Sequence, residues 1–539
     1  MASRGRSGFA DVVVGLTRLV GGIAQPGRVG PRGVAGMARA IGRHGLTTAT
    51  IGAIAAARDP QAIALVDEEG VITTGELDAH VNAFAHELLT GGVRQGRHVG
   101  VLCRNGRGFV IGALAVSRLG ADLVLLNNEF AAPALRHALE HELVDAVVHD
   151  DEFAGRMDEA LFAGRRFTVV AGHGSPAPVR AGKRLPRASR PGRLVVLTSG
   201  TTGQAKGAQQ GDVKIGQIVP ITSLVRVLKV RPGAPMLVLP PMFHGYGFGF
   251  LVLGLALGTP IVTTRRFDAT TAGALAERHA VDTIVAVPPM LSAITRAMPA
   301  DIELPNLRAV ISGSGQLHPS VSEEVMGRFG PVLFNMYGST EEGWSTIATP
   351  DDLAVAPGTI GRPVAGVRIE LLDDEDEPVH DGEVGHVCVS STLSFGGYTG
   401  GGQRARRRGM LDSGDLGHRD HRGLLFIDGR ADGMVVTGGE NVFLAEVEDV
   451  LLAHPAVADA RVDGVPDRDY GRRLEATVVL AAHGTGEAGA PTPDVEALKA
   501  HVASRLARYK VPRRITFTDE LAHTATGKHI RLRHEPPDE

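Results

Sequence analysis

From about residue 60 to about residue 330 the chain alternates short β-branched runs with amphipathic stretches, and that alternation excludes most folds. Strand-like runs fall at residues 98–102, 145–148, 167–170, 193–197, 236–239, 283–287 and 309–312. Helix-like patterns at residues 75–89, 107–118, 134–142, 272–279 and 320–329 separate them. Strands that alternate with helices predict a parallel or mixed sheet with helices on its faces, an α/β architecture. A chain of 539 residues exceeds one ordinary core, so two or more domains are expected.

The texture changes after about residue 356. Residues 367–372 and 383–389 read as antiparallel strands around a Pro/Gly-rich turn, a smaller β unit leading to a boundary near Arg430. Residues 433–539 then hold a helix (445–454), strands (457–465 and 476–480) and a second helix (494–506), the pattern of a small α+β domain. The expected division is an extension at 1–50, a large domain at 51–430 and a small one at 431–539. Residues 172–191, rich in Gly, Pro, Ala, Arg and Ser, read as an exposed linker.

Composition narrows the class. A net charge of −4 gives no case for nucleic-acid binding. Cys103 and Cys388, the only cysteines, cannot make a disulfide framework or a CxxC metal site, and a reducing, cytoplasmic compartment is expected. The longest apolar run, 248–262, is broken by glycines and Pro260 and reads as a core helix followed by a strand, too short to span a bilayer. Residues 1–50 carry seven arginines against the single acid Asp11. Three readings stay open for them: a packed or loosely attached extension, an amphipathic segment at a membrane surface, and a transit peptide.

The chemistry is concentrated in a few strings. After the apolar run 193–197 come Thr198, Ser199, Gly200, Thr201, Thr202, Gly203, Gln204, Ala205, Lys206 and Gly207. Four hydroxyls, several glycines and a lysine at the end of a strand offer a polyphosphate many donors, little steric bulk and positive charge. This is not a Walker A loop, because Lys206 is followed by Gly207 and Ala208. With only seven lysines in the chain, Lys206 and Lys528 are less expected to fall in such strings by accident. A second string, Asn335 to Glu341, follows the apolar run 331–334 and reads as a strand opening into a polar turn: Tyr337 can stack on a purine, Thr340 can meet a phosphate, and Glu341 can hold Mg²⁺ that keeps most of its waters. In Ser312-Gly313-Ser314-Gly315 the glycines permit close approach to a flat ligand, though a tight turn explains them equally.

These strings, in this order across roughly residues 60–531, resemble the adenylate-forming superfamily of acyl-CoA synthetases, luciferases and peptide-synthetase adenylation domains. The resemblance implies a large N-terminal domain of two βαβ-type sheets plus a small β-barrel, and a small mobile C-terminal domain. It makes 198–206 the phosphate loop, with Ala205 where the family usually has proline. It gives Tyr337 the adenine, Thr340 the phosphate and Glu341 the magnesium, with Gly338 and Ser339 in the same motif, and it has Gly313 and Ser314 line the adenine. Ser413-Gly414-Asp415 stands for the family's Thr-Gly-Asp, so Asp415 would hold the ribose. Gly429-Arg430-Ala431-Asp432 resembles the domain junction, with Arg430 reaching ribose or phosphate and Asp432 as the hinge. The segment 437–442 resembles the pantetheine tunnel and includes Gly438. His523 to Lys528 resembles the motif of the catalytic lysine, Lys528, with Ala522 in place of a proline. The segment 241–249 resembles the border of the acyl pocket, where His244 lines the carboxylate site or simply packs. That segment has no Asp or Glu to meet a substrate ammonium, which argues for a plain carboxylic acid.

The implied reaction uses ATP with Mg²⁺, then CoA, and needs no protein nucleophile. The strings at 337–350, 397–402 and 438–442, and the basic extension, look most like actinobacterial fatty-acid–CoA ligases, so the implied substrate is a medium- or long-chain fatty acid. Three alternatives remain open: a fatty-acyl-AMP ligase loading a carrier protein, a peptide-synthetase adenylation domain, and a non-catalytic ATP- or acyl-binding protein. Expected partners are small molecules, with peripheral membrane contact through residues 1–50 as an option and the oligomeric state open.

Overall fold

The computed structural model describes residues 31–45, 47–169, 185–199, 205–210, 217–431, 434–437, 440–467, 471–481, 493–506 and 508–523. Two large sheets and a smaller one make up the N-terminal region. The nine-stranded sheet contains Ile63–Asp67, Gly70–Thr73, Met236–Val238, Ile261–Val262, Thr283–Ala286, Ala309–Ser312, Leu333–Ser339, Gly343–Ala348 and Arg362–Pro363. Its central strands are parallel and buried on both faces, which is why Thr283–Ala286 and Ala309–Ser312 show no polar alternation. The six-stranded sheet runs Arg165–Thr168, Ala146–His149, His98–Leu102, Asp122–Leu125, Leu194–Ser199, Ala205–Gln210, parallel except for its last pair. The smaller β unit is an antiparallel sheet of five strands, Val367–Leu372, Gly385–Ser391, Arg406–Arg407, Met410–Arg419 and Leu425–Arg430.

Local rules account for the helix ends. Thr73 and Glu76 form a capping box on the helix Thr74–Thr90: the Glu76 N–H donates to Thr73 Oγ1 at 3.2 Å and the Thr73 N–H to Glu76 Oε2 at 2.9 Å. Asp268 caps the helix Ala269–Arg278 through the Thr271 N–H at 2.7 Å. The apolar helix Gly245–Leu257 stops at Gly258, whose φ of 67° suits a residue without Cβ, and the strand Ile261–Val262 follows. The expectation of a core helix followed by a strand over 248–262 therefore holds. No helix among the described residues is long and apolar enough to cross a membrane.

A buried ion pair helps to join the two large sheets. Asp67, ending the strand Ile63–Asp67, accepts the Arg107 N–H at 2.8 Å and the Arg107 guanidinium at 2.6 Å. Arg107 opens the helix Arg107–Arg118, so the carboxylate satisfies an orphan N–H at a helix start and a buried cation together. One apolar core takes residues from all three sheets, among them Val101, Val196, Val238, Ile311, Phe334, Ile369 and Val389.

Strand pairing reaches further into two of the polar strings than expected. The strand Leu333–Ser339 continues through Tyr337, paired antiparallel with Gly343–Ala348, so the polar turn is residues 340–342 rather than 335–341. On either side of the phosphate string, Leu194–Ser199 and Ala205–Gln210 pair antiparallel, Thr198 opposite Lys206 and Ser199 opposite Ala205, while residues 200–204 lie outside the described residues. In both, ladder bonds override the weak strand propensity of Gly, Ser and Asn. The linker expectation also changes at its described end: Leu185 is buried, and the Ser189 N–H donates to Gln95 Oε1 at 2.9 Å.

At the start of the described chain, the helix Pro31–His44 packs Met37 and Ala40 against Ile54 of the helix Thr48–Arg58, which spans residues 50 and 51. Residues 1–30 lie outside the described residues. The C-terminal region is a separate α+β unit. Val457–Asp467 pairs antiparallel with Gly471–Leu480, which pairs parallel with Arg514–Thr518. The helices Leu444–Leu452 and Val495–Ala503 cover this sheet with Val447, Leu451, Leu498 and Val502.

Candidate active site

The site residues come from strand ends of the three N-terminal sheets. The Tyr337 hydroxyl donates to Asp415 Oδ2 at 2.6 Å, and Asp415 Oδ1 pairs with Arg430 Nη1 at 3.0 Å. Asp415 therefore bonds to both of the other residues that the sequence places around the nucleotide. Burial, and then the negative charge of Asp415, push the Tyr337 hydroxyl well above its ordinary range, so it stays a donor. Gly338 lies against the partner strand, where a Cβ would stand 2.1 Å from the Gly343 carbonyl oxygen. Ser339 Oγ accepts the Glu342 N–H at 3.2 Å and so shapes the tight turn that carries Thr340 and Glu341.

Glu341 is buried, and its Oε1 accepts the Tyr398 hydroxyl at 2.8 Å and faces Arg404 Nη1 at 3.6 Å. Arg404 also donates to the carbonyl oxygens of Asp412, at 2.8 Å, and Ser413, so it ties Glu341 to the strand that carries Asp415. Burial pushes the Tyr398 hydroxyl up to about 12, with the Glu341 charge adding to it. Glu341 suits a hard cation, being an oxygen donor with one oxygen already oriented. Among the described residues no group of three or more His, Cys, Asp or Glu could hold a metal, so magnesium here would draw most of its ligands from phosphate and water. Glu342, fully buried, has no hydrogen-bond partner for either carboxylate oxygen among the described residues. Burial, and next the charge of Asp415, raise it to about 8, which makes it a neutral wall below the nucleoside residues near neutral pH.

Lys206 is exposed, with its ammonium 5.9 Å from the centre of the Tyr398 ring. Gly207 sits beneath the buried Glu142, where a Cβ would lie 2.5 Å from Oε1. Gly200, Thr201, Thr202 and Gly203 lie outside the described residues, and Thr198 and Ser199 are described only as backbone in the strand Leu194–Ser199. Asp432, Gly438 and Lys528 also lie outside them.

Gly313 and Ser314 follow the strand Ala309–Ser312. A Cβ on Gly313 would stand 2.8 Å from the Tyr246 ring, whose hydroxyl donates to the Ile311 carbonyl oxygen at 2.9 Å. Ser314 has a φ of 64°, a strained left-handed conformation for a residue with a side chain. His244 is the residue before the helix Gly245–Leu257, its ring 4.4 Å from that of Phe243. Gly245 lies beside Thr340, 3.9 Å from a Cβ position to Oγ1, so this helix start meets the 340–342 turn. Behind it stands an aromatic wall. Tyr246 meets Phe250 edge-on at 5.3 Å, Phe250 lies 6.4 Å from Trp344, and a Cβ on Gly249 would touch Trp344 at 2.9 Å.

The small C-terminal unit touches the nucleoside side of the site. His318 pairs with Asp449 of the helix Leu444–Leu452, and Gln316 Nε2 donates to Asp449 Oδ2 at 3.2 Å. Tyr398, Arg404, Glu142, Trp344 and this His318–Asp449 pair have no role in the reading of the sequence. The one available signal was an aromatic residue inside a glycine-rich run, Gly397-Tyr398-Thr399-Gly400.

Comparison with known proteins agrees with this arrangement. The model of the family described as AMP-binding enzyme matches residues 53–399, and that of the AMP-binding enzyme C-terminal domain matches residues 446–528. Feruloyl-CoA synthase of an Amycolatopsis species is 31% identical over 483 residues, 88% of this chain and 95% of that protein. The medium/long-chain-fatty-acid–CoA ligase FadD8 of Mycobacterium tuberculosis is 32% identical over 344 residues, 62% of this chain and 59% of that protein. The structure of o-succinylbenzoate coenzyme A synthetase from Bacillus subtilis in complex with ATP and magnesium ion superposes with a TM-score of 0.76 at 27% identity, covering 89% of this chain and 98% of that one. The chain belongs to the AMP-binding enzyme family, within the adenylate-forming acid–thiol ligases.

Proposed function

We propose that this protein activates a medium- or long-chain fatty acid with ATP and passes the acyl group to CoA. The observation that carries the reading is convergence. Asp415 bonds to both Tyr337 and Arg430, Glu341 and Lys206 share Tyr398, and an apolar aromatic wall stands beside them. Residues 241–249 hold no Asp or Glu, so that wall offers nothing to a substrate ammonium.

A carboxylate that approaches a triphosphate meets charge repulsion, so the protein must neutralise and align before it can catalyse. In this reading Asp415 accepts the ribose hydroxyls, and Tyr337, Gly313 and Ser314 enclose the adenine. The string from Thr198 to Lys206 gives N–H groups, hydroxyls and an ammonium to the phosphates, joined by Thr340. Magnesium held through Glu341 supplies further neutralisation of phosphate charge. The substrate carboxylate, bordered by His244, bonds to the α-phosphorus as the bond to the β-phosphate oxygen breaks, giving acyl-adenylate and pyrophosphate. Lys528, delivered by the small domain 431–539, meets the charge that builds on the α-phosphate oxygens, an interaction strongest in the transition state. Rotation about Asp432 withdraws Lys528 and brings the segment around Gly438 to the site. The CoA thiol, giving its proton to solvent, then bonds through sulfur to the acyl carbon as the carbon–oxygen bond to the phosphate breaks, and AMP leaves with that oxygen and the bonding pair.

A second reading, an aryl-acid substrate, is favoured by the aromatic cluster beside the site, where Tyr246 meets Phe250 edge-on and Phe250 lies tilted to Trp344, because aromatic rings favour such contacts with one another. Purified protein with ATP, Mg²⁺ and CoA, offered saturated acids from hexanoate to stearate alongside hydroxycinnamates and benzoates, separates the two. AMP and CoA thioester in equal amounts with the fatty acids support the first reading, and with the aryl acids the second. Adenylate without thioester supports carrier loading, and no turnover with any acid rejects the ligase reading.

A further inference from the structure

The glycine-rich segment that follows the strand Gly385–Ser391 is built into the candidate phosphate site as an added strand. The Gly396 N–H donates to the Gln209 carbonyl oxygen at 2.9 Å, the Gln209 N–H to Gly397 O at 3.0 Å, and the Thr399 N–H to Gly207 O at 2.9 Å. Tyr398 thus lies across from Ala208 in an antiparallel bridge with the strand Ala205–Gln210. The Thr399 hydroxyl donates to the buried Glu142 at 2.7 Å, which fixes the segment from below. On the other side the Phe395 N–H donates to the Glu341 carbonyl oxygen at 2.8 Å. The segment therefore bonds to both parts of the candidate polyphosphate site, which belong to different sheets.

We infer that Tyr398 is a positioning residue that holds the Glu341 carboxylate and the Lys206 ammonium in one fixed frame for a magnesium–nucleotide. Its hydroxyl donates to Glu341 Oε1 at 2.8 Å, which fixes the rotation of the carboxylate and gives the second oxygen a defined direction. Its ring lies 5.9 Å from Lys206 Nζ, which confines the ammonium to the same side. The Phe395 ring meets the Tyr398 ring edge-on at 4.9 Å and braces it. One side chain thereby couples a carboxylate that suits the cation to a cation that suits the phosphates, across 57 residues on one side and 192 on the other by way of its neighbour Thr399. The inference rests on the ATP-dependent reading of the site and adds to it a residue that touches neither nucleotide nor acid.

The test measures binding rather than turnover. A non-hydrolysable ATP analogue is titrated calorimetrically into the wild type and Tyr398→Phe, each with Mg²⁺ in excess and with Mg²⁺ chelated. Loss of one oriented hydrogen bond is expected to weaken binding about three- to tenfold with Mg²⁺. It should change binding far less without Mg²⁺. Tyr398→Phe keeps the ring, so Tyr398→Ala should lose further affinity in both conditions through Lys206. Thr399→Val cuts the bond to Glu142 but leaves Glu341 untouched, and should keep the wild-type Mg²⁺ dependence. Equal affinity of Tyr398→Phe and wild type with Mg²⁺, or an equal loss with and without it, overturns the inference while the ligase reading stands. The same loss in Thr399→Val would make the effect one of loop placement and also overturns it. A wild type that does not bind the magnesium nucleotide rejects both.

Discussion

The Tyr337 hydroxyl and Asp415 Oδ2, 2.6 Å apart, join the last parallel strand of the nine-stranded sheet to the five-stranded sheet. The bond is short and half-buried, and its acceptor also holds Arg430 through the other oxygen. Two residues assigned to different halves of a nucleoside thus set each other's positions before any ligand arrives. Tyr337→Phe keeps the ring for stacking and releases the carboxylate. It is expected to raise KM for ATP about three- to tenfold, the effect of one charge-assisted hydrogen bond, and to leave KM for CoA unchanged. Steady-state kinetics with each substrate varied in turn checks this, and an unchanged KM for ATP would count against the nucleoside assignment.

Much of the fold is legible in the sequence where one pattern acts alone. The strands His98–Leu102, Ala309–Ser312 and Val367–Leu372 and the helix Arg107–Arg118 have the bounds that periodicity predicts. The misread stretches, 198–199 with 205–207 and 335–339, are rich in Gly, Ser, Thr and Asn, residues whose local preference is for turns. They extend because their ladder partners lie beside them, at 205–210 and 343–348. In the site, the strings of polar residues stand out, but the contacts among them do not. Glu142 and Thr399 meet across 257 residues and Tyr337 and Asp415 across 78, separations that leave no periodic trace in one sequence.

In the proposed reading the acid lies along the aromatic wall. Trp344 packs against Gly249 and Phe250, and Tyr246 covers Gly313, so ring size at these positions would then limit which acid fits. Trp344→Ala is expected to favour longer or bulkier acids, shifting the ratio of kcat/KM between a long and a short acid by about tenfold or more. Gly313→Ala drives a methyl to 2.8 Å from the Tyr246 ring, held by its bond to Ile311, and should narrow the accepted range instead. Competition assays with mixed acids give both ratios directly. Identical acid profiles in both variants and wild type would place the acyl group elsewhere.

The His318–Asp449 pair makes the contact between the two units sensitive to pH. Burial opposes the imidazolium, but the hydrogen bond to Asp449, then the charges of Asp449, Glu448 and Asp459, outweigh it, and His318 titrates above its ordinary range. A histidine whose folded pKa is raised stabilises fully below its unfolded value and loses that contribution as pH rises through the folded one. Asp449→Asn is therefore expected to lower stability by about 1 kcal/mol near pH 6, with the deficit shrinking as pH climbs past the raised pKa. Melting temperatures of wild type and variant over that range test it. A deficit that stays constant or grows with pH would show that the pair is not an ion pair in solution.

The division of labour between the two units is tested by separating the half-reactions. The hinge and catalytic assignments rest on strings at the junction and the C-terminus, where Arg430 ends the strand Leu425–Arg430 and Asp432 follows two residues later. If Lys528 acts on charge that develops at the α-phosphorus, its removal costs transition-state binding and little else. Lys528→Ala should then slow adenylation by about a hundredfold or more and leave thioester formation from supplied acyl-adenylate nearly intact. Asp432→Pro fixes φ at the proposed pivot, and by trapping one orientation should depress one half-reaction far more than the other. Pyrophosphate release and CoA thioester formation, followed separately in each variant, distinguish these roles. Equal loss of both half-reactions in Lys528→Ala would reduce the lysine to a structural part. Unchanged rates for both in Asp432→Pro would move the pivot away from residue 432.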